Sequence, residues 1–124
     1  MKVTIAKSIL IIISSIFYII VGIKHFIDPN FFIAIVPPYL PYQLEIVYIS
    51  GFFEILFGIM IVFPKYRFYG AVGLILLLIA VFPANIYLAL SKEAQEAIGA
   101  SQQIAIWRLP IQGLLIWTAY WIRK

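Results

Sequence analysis

The chain has 124 residues, of which 65% are hydrophobic and 11% charged, with a net charge of +4 and a mean hydropathy of +1.06. A soluble domain of this size cannot bury so much apolar surface, so the composition predicts an integral membrane protein. The lack of cysteine excludes disulfides and thiol chemistry by this chain alone, and a single histidine leaves a His-rich haem or zinc site short of ligands.

The first apolar run covers residues 5–26 and is long enough to cross about 30 Å of hydrocarbon. A secretory signal peptide is the alternative, since Lys2 and Lys7 suit its charged start. The run is longer than the usual apolar region of a signal peptide, and no cleavage motif of small residues precedes Lys24. We therefore expect a retained membrane helix.

A short helix of about two turns is predicted next. Asp28 can cap it and Pro29 suits its first position, while Pro37 and Pro38 must stop it. It is too short to span a membrane, and its apolar and aromatic content predicts that it lies in the interface or folds over the outer mouth of the helices.

Three more spans follow, and the last ends in an aromatic belt around Trp117, Tyr120 and Trp121. A basic turn separates the second span from the third, and a polar loop, residues 91–103, separates the third from the fourth. The sequence thus predicts an all-α fold: one domain, residues 1–124, forming an integral membrane four-helix bundle with a short interfacial helix between helices 1 and 2. The predicted spans are residues 5–26, 44–63, 68–90 and 104–122.

The charges predict the orientation. If the amino terminus is cytoplasmic, the basic residues that fall inside have no acid among them, and the reverse orientation would violate the positive-inside rule at every loop. We expect an integral protein of the cytoplasmic (plasma) membrane with both termini cytoplasmic. The basic residues placed inside are Lys2, Lys7, Lys65, Arg67, Arg123 and Lys124.

One acid, Glu54, lies in the middle of the second span, where an ionisable group needs a partner and marks a candidate functional site. Arg108 and Gln112 are spaced i,i+4 on the fourth span and share a face. We expect Arg108 to pair with Glu54, directly or through Gln112 and water, with His25 and Asn85 at the rim. A guanidinium is the natural counter-ion because it stays charged when buried.

Structural roles are the alternatives at each position. The Glu54–Arg108 pair could simply fix how the helices pack, and Arg108 could extend to the outer headgroups. His25 ends a helix, where a capping or interfacial role is an equal candidate. The glycines of the spans are expected to permit close helix contact rather than chemistry.

Six motifs in order along the chain resemble the DoxX-like family of small membrane proteins. The resemblance implies a four-helix membrane bundle associated with membrane redox systems such as quinone-coupled sulfur oxidation, and it extends distantly to the EXPERA group and the receptor chaperone NACHO. The matching positions are His25, Glu54, Asn85, Arg108 and Gln112, and the resemblance assigns none of them a catalytic role. The motifs are Gly22–Phe26 with Pro29, Val36–Pro38, Ser50–Glu54, Pro64–Arg67, Val81–Asn85 and Trp107–Gln112.

Three functions remain open. The first is a non-catalytic binding or accessory subunit of a membrane redox system, with an outer-half polar pocket for a quinone- or lipid-like molecule. The second is an enzyme, an isomerase or a quinol oxidoreductase component, in which Glu54 is the general acid or base and His25 assists. The third is an assembly factor for another membrane protein. The ligand-binding candidates are His25, Glu54, Asn85, Arg108 and Gln112, with apolar walls expected from Tyr48, Phe52, Phe53, Tyr87 and Trp107.

The expected partners follow from the predicted membrane location and the three candidate functions. Membrane lipids surround the protein, and a membrane oxidoreductase, another membrane protein or a second copy of the chain are the candidate protein partners. Neither nucleic acid nor a metal ion is expected, and the candidate cofactor is a non-covalently bound quinone or lipid.

Overall fold

The computed structural model describes residues 4–124, and within this range every regular element is a helix. The all-α prediction is therefore confirmed for the described residues. The helices are α1 (Ile5–Ile27), α2 (Pro29–Ile33), α3 (Gln43–Met60), α4 (Arg67–Leu90), α5 (Lys92–Ile98) and α6 (Gln102–Ile122).

Three of these helices, α1, α3 and α4, are long and apolar enough to cross a membrane. Large apolar side chains also cover much of the surface; Ile5 and Leu90, for example, are each 81% exposed. Exposed apolar surface on this scale indicates a membrane protein. The fourth predicted span corresponds to α6, which has 21 residues. Its polar Arg108 and Gln112, together with its tryptophans, make it less apolar than the other three.

The connections differ from the sequence-based prediction in two places. The loop predicted at residues 91–103 contains α5, because the Ser91 hydroxyl accepts a hydrogen bond from the Ala94 amide at 3.1 Å and caps the helix. Gln95 then ties α5 to the end of α4 by donating to the Leu88 carbonyl at 3.0 Å. The short helix α2 has five residues, less than the two turns expected, because Ala34 already ends it.

Glycine brings α1 and α3 into close contact. A methyl group on Gly22 would lie 2.7 Å from the Gly51 carbonyl oxygen, so the two backbones meet with no room for side chains. Further along, the Ser15 hydroxyl donates to the Gly58 carbonyl at 2.7 Å. This close crossing positions the side chains that follow on α1 against those of α3.

Arg67 joins α3 to α4 and is nearly buried, at 8% exposure. Its Nε donates to the Ile61 carbonyl at 2.8 Å and its Nη2 to the Val62 carbonyl at 3.2 Å. These are carbonyls at the carboxyl end of α3 that lack helical partners, so the guanidinium caps that end.

The four long helices pack in the order α1, α3, α4, α6, and α1 touches α6 at few points. The Lys7 amine donates to the main-chain oxygen of Lys124 at 2.7 Å, so the start of α1 and the end of α6 lie at one end of the molecule. Two apolar clusters form the core, one around Leu74 and the other around Leu88. Between them the helices leave a space.

Candidate functional site

A cavity of about 380 Å³ occupies this space, with walls from α1, α3, α4, α6 and the segment that follows α1. Most of its lining is apolar. All five residues predicted from the sequence line it: His25, Glu54, Asn85, Arg108 and Gln112. The sequence therefore identified the polar groups that the fold brings together, although not how they pair.

His25 and Glu54 are neighbours across the glycine crossing of α1 and α3. His25 Nδ1 lies 3.3 Å from Glu54 Oε2 and 2.7 Å from the carbonyl oxygen of Val21. A carbonyl can only accept, so the Nδ1 hydrogen is donated to Val21. Nδ1 therefore has no second hydrogen to donate to the Glu54 carboxylate, although the two atoms are close.

Glu54 Oε2 is consequently a buried acceptor that receives no hydrogen bond from residues 4–124. Nearly all buried polar groups in proteins have a partner, and leaving one unsatisfied costs roughly 1–3 kcal/mol. A buried acceptor that faces a cavity and lacks a donor is a group that a bound molecule or a water can satisfy.

The direct ion pair predicted between Arg108 and Glu54 is absent from the described part of the chain, where the acid's closest basic neighbour is His25. Arg108 is partly buried at the same cavity, and it makes no side-chain hydrogen bond within residues 4–124. The direct pairing was wrong because α6 contacts α4 extensively and α1 and α3 little. The two charges thus face one space without meeting across it. A link through Gln112 and water stays a prediction.

Asn85 and Gln112 form a link between α4 and α6. The Asn85 amide donates to the Gln112 side-chain oxygen, and the Gln112 amide donates to the carbonyl of Leu78. Gln112 is 2% exposed and its polar groups already have protein partners. Its position holds the two helices together, whereas the Asn85 carbonyl oxygen is the part of this pair left for a ligand.

The segment that includes α2 closes one end of the cavity. The Phe32 ring stacks on the His25 imidazole with centroids 3.7 Å apart and an interplanar angle of 16°. Ile35, Val36 and Pro37 behind it are buried and line the same cavity. This agrees with the prediction that the short helix folds over the mouth of the helices, and its position in the membrane interface stays a prediction.

The aromatic walls predicted from the sequence are wrong. Tyr48, Phe52, Phe53, Tyr87 and Trp107 are not among the residues that line the cavity. Phe52 and Phe53 directly precede Glu54, and a helix turns about 100° per residue, so they point away from it. The aromatic lining comes instead from Phe17, Tyr18 and Phe32.

Tyr18 was missed although the sequence holds a signal for it. It is seven residues before His25, which places both side chains on one face of α1. Tyr18 is 4% exposed and lines the cavity.

Within residues 4–124, His25 and Glu54 have no third histidine or acid beside them with which to hold a metal ion.

Apolar helices of membrane-spanning length around a cavity with a few convergent polar groups define a small helical membrane protein with a candidate binding site. The chain belongs to the family described as a domain of unknown function (DUF8561), whose model matches residues 14–123 and so includes every cavity residue named above. No curated protein and no solved structure matches the chain.

Proposed function

We propose that this protein is a membrane-embedded binding protein whose cavity takes a quinone- or lipid-like amphipathic molecule. The observation that carries the proposal is the buried Glu54 Oε2, which has no donor among residues 4–124 and lies at the cavity that the partly buried Arg108 also lines. Charged groups at membrane depth are costly without partners. The head group of a ligand bound between them supplies a donor for Glu54 and an acceptor for Arg108.

The polar groups define what the head must offer. Glu54 accepts a hydrogen bond from a hydroxyl or similar donor, and Arg108 donates to a carbonyl, hydroxyl or anionic oxygen. The Asn85 carbonyl adds one more acceptor. The apolar remainder of the lining suits the ring or first carbons of the ligand.

The proposal includes α6 as a fourth span, which would complete a four-helix bundle. Its length of 21 residues and its packing along α4 support this. The basic residues at the end where Lys7 bonds Lys124 support the inside orientation predicted from the sequence, with the protein in the plasma membrane and the cavity in the outer half.

The cellular role follows from the motif resemblance to DoxX-like proteins alone. We infer an accessory subunit of a membrane redox system, in which this chain binds the quinone- or lipid-like molecule and a partner oxidoreductase carries the redox centres. Co-purification in mild detergent of an oxidoreductase with the intact chain tests this role separately from ligand binding.

An enzyme is the second candidate, and one observation favours it. A histidine and a carboxylate lie 3.3 Å apart at a cavity, an arrangement that can move a proton to or from a bound molecule. Glu54→Gln keeps the shape and removes the base, so it would abolish turnover by an enzyme but only weaken binding by a carrier.

Native mass spectrometry of the protein extracted from its membrane tests the binding proposal. We expect a retained small molecule of constant mass on the wild type and a clearly smaller fraction of protein carrying it in Glu54→Gln and Arg108→Gln. Glu45→Gln and Arg123→Gln change exposed or partly exposed groups away from the cavity and should keep the adduct. An adduct that persists equally in all four variants would contradict the proposed site.

A further inference from the structure

An apolar groove continues from the cavity between α1 and α6. Its volume is about 230 Å³, and it runs toward the end of the molecule at which Lys7 bonds Lys124. Phe17, Tyr18 and Leu115 line both the cavity and the groove, so the two spaces adjoin. The other lining residues include Leu10, Ser14, Leu74, Thr118, Ala119 and Ile122.

The groove exists because small side chains stand where α1 and α6 would otherwise meet. Ser14 and Ala119 leave the space between the helices unfilled, and both are buried at its base. The Thr118 hydroxyl donates to the Leu114 carbonyl of its own helix at 2.9 Å, so it offers no free donor to the groove. Ser14 and Tyr18 then carry the other hydroxyls in a lining that is otherwise apolar.

We infer that this groove holds the single apolar chain of the molecule whose head lies at Glu54 and Arg108. The inference rests on the proposed function and specifies its ligand: one long chain attached to an oxygen-bearing head. On α1 the groove extends from Tyr18 to Leu10, which is about 12 Å at helical rise. A single groove takes a single chain, and the head must bring a hydroxyl donor for Glu54, so a protonated fatty acid or a quinol with one tail fits better than a two-chain phospholipid.

The groove contributes selectivity more than affinity. A chain that moves from lipid into protein exchanges one apolar environment for another, so burial in the groove gains little free energy by itself. The shape of the groove determines which ligands bind, because a bulky side chain in the groove competes with the tail for the same space. Blocking the groove should thus displace tailed ligands and leave the polar head site intact.

Photocrosslinking of the full chain in lipid nanodiscs tests the inference. The probe is palmitic acid with a diazirine in the middle of its chain, and unlabelled palmitic acid and a decyl-substituted benzoquinol are separate competitors. We expect crosslinks on the groove faces of α1 and α6. The competitor that removes them more effectively distinguishes a carboxylic acid head from a quinol head.

Thr118→Phe should lower the groove crosslinks about tenfold, the penalty typical of forcing a large side chain into occupied space. Ser14→Leu narrows the groove from the α1 side and repeats the test with another variant. Leu76→Phe adds an aromatic ring at a position of α4 that is 62% exposed, and it should have no effect.

Each contrary outcome has a distinct meaning. Competed crosslinks that lie elsewhere and are unchanged in Thr118→Phe and Ser14→Leu would overturn the groove and leave the proposed function standing. Groove crosslinks that neither competitor reduces would mean that bulk lipid fills the space, which also overturns it. No competed crosslink anywhere, together with the absence of an adduct in native mass spectrometry, would remove the proposed function itself.

Discussion

A methyl group added to Gly51 would lie 2.5 Å from the Cβ atom of His25. Carbon atoms of residues that are not chain neighbours do not pack so closely, so the position of the imidazole depends on the missing side chain of Gly51. The contact between His25 and Glu54, one turn further along α3, follows from this crossing.

Gly51→Ala should separate α1 from α3 and destabilise the fold by roughly 1–3 kcal/mol, the usual cost of overpacking. Thermal unfolding in detergent measures the change. Gly113→Ala is the matched control, because a Cβ atom there meets nothing within 4 Å. Alanine is the better helix former, so the control should be neutral or slightly stabilising. Equal behaviour of the two variants would contradict the close crossing.

Arg67→Met should lower stability by roughly 1–3 kcal/mol, because the buried hydrogen bond to the Ile61 carbonyl and the partly buried one to Val62 are both lost. The same thermal assay applies, with Lys65→Met as the control in the exposed turn nearby. If Arg67→Met and Lys65→Met unfold at the same temperature, the Arg67 guanidinium is not the group that caps α3.

Gln112→Leu keeps the size of the side chain and removes its amide. Asn85 and the Leu78 carbonyl then lose their partner, and we expect a loss of roughly 1–3 kcal/mol in the free energy of unfolding. Hydrogen exchange should also rise in α4 near Leu78. Gln103→Leu, at an exposed position of the same helix, should change neither measurement.

His25 is the chain's single histidine, so its reaction with diethyl pyrocarbonate is a direct readout of access to the cavity. The residue is 6% exposed and covered by the Phe32 ring, so the wild type should react slowly. Phe32→Ala should speed the reaction severalfold by uncovering the ring. Phe31→Ala removes the neighbouring, more exposed ring and should not. Equal rates in the two variants would mean that α2 does not guard the cavity.

The sequence predicted the helices well and the pairing of their polar groups poorly. Long apolar runs determine the positions of α1, α3 and α4, and the spacing of charged and amide residues predicted which of them share a cavity. The pairing of Glu54 with His25 instead of Arg108 depends on a crossing at Gly22 and Gly51 that brings α1 to α3. Helical periodicity shows on which face of its helix a residue lies, but it does not show which other helix packs against that face.

Helical periodicity also carries information about the aromatic residues of the cavity. It places Tyr18 on the face of His25 and turns Phe52 and Phe53 away from Glu54, so the lining aromatic residues could have been chosen correctly. The helix α5 was harder to predict, because its seven residues are held by tertiary hydrogen bonds from Gln95 as well as by its own capping.

The uneven packing of the long helices has a mechanical consequence. The α1–α3 pair and the α4–α6 pair each pack closely, and α3 packs against α4, whereas α1 and α6 meet at few points. Separating α1 from α6 therefore breaks fewer contacts than separating any other two neighbouring long helices. The cavity wall that yields most easily is the one along which the apolar groove lies.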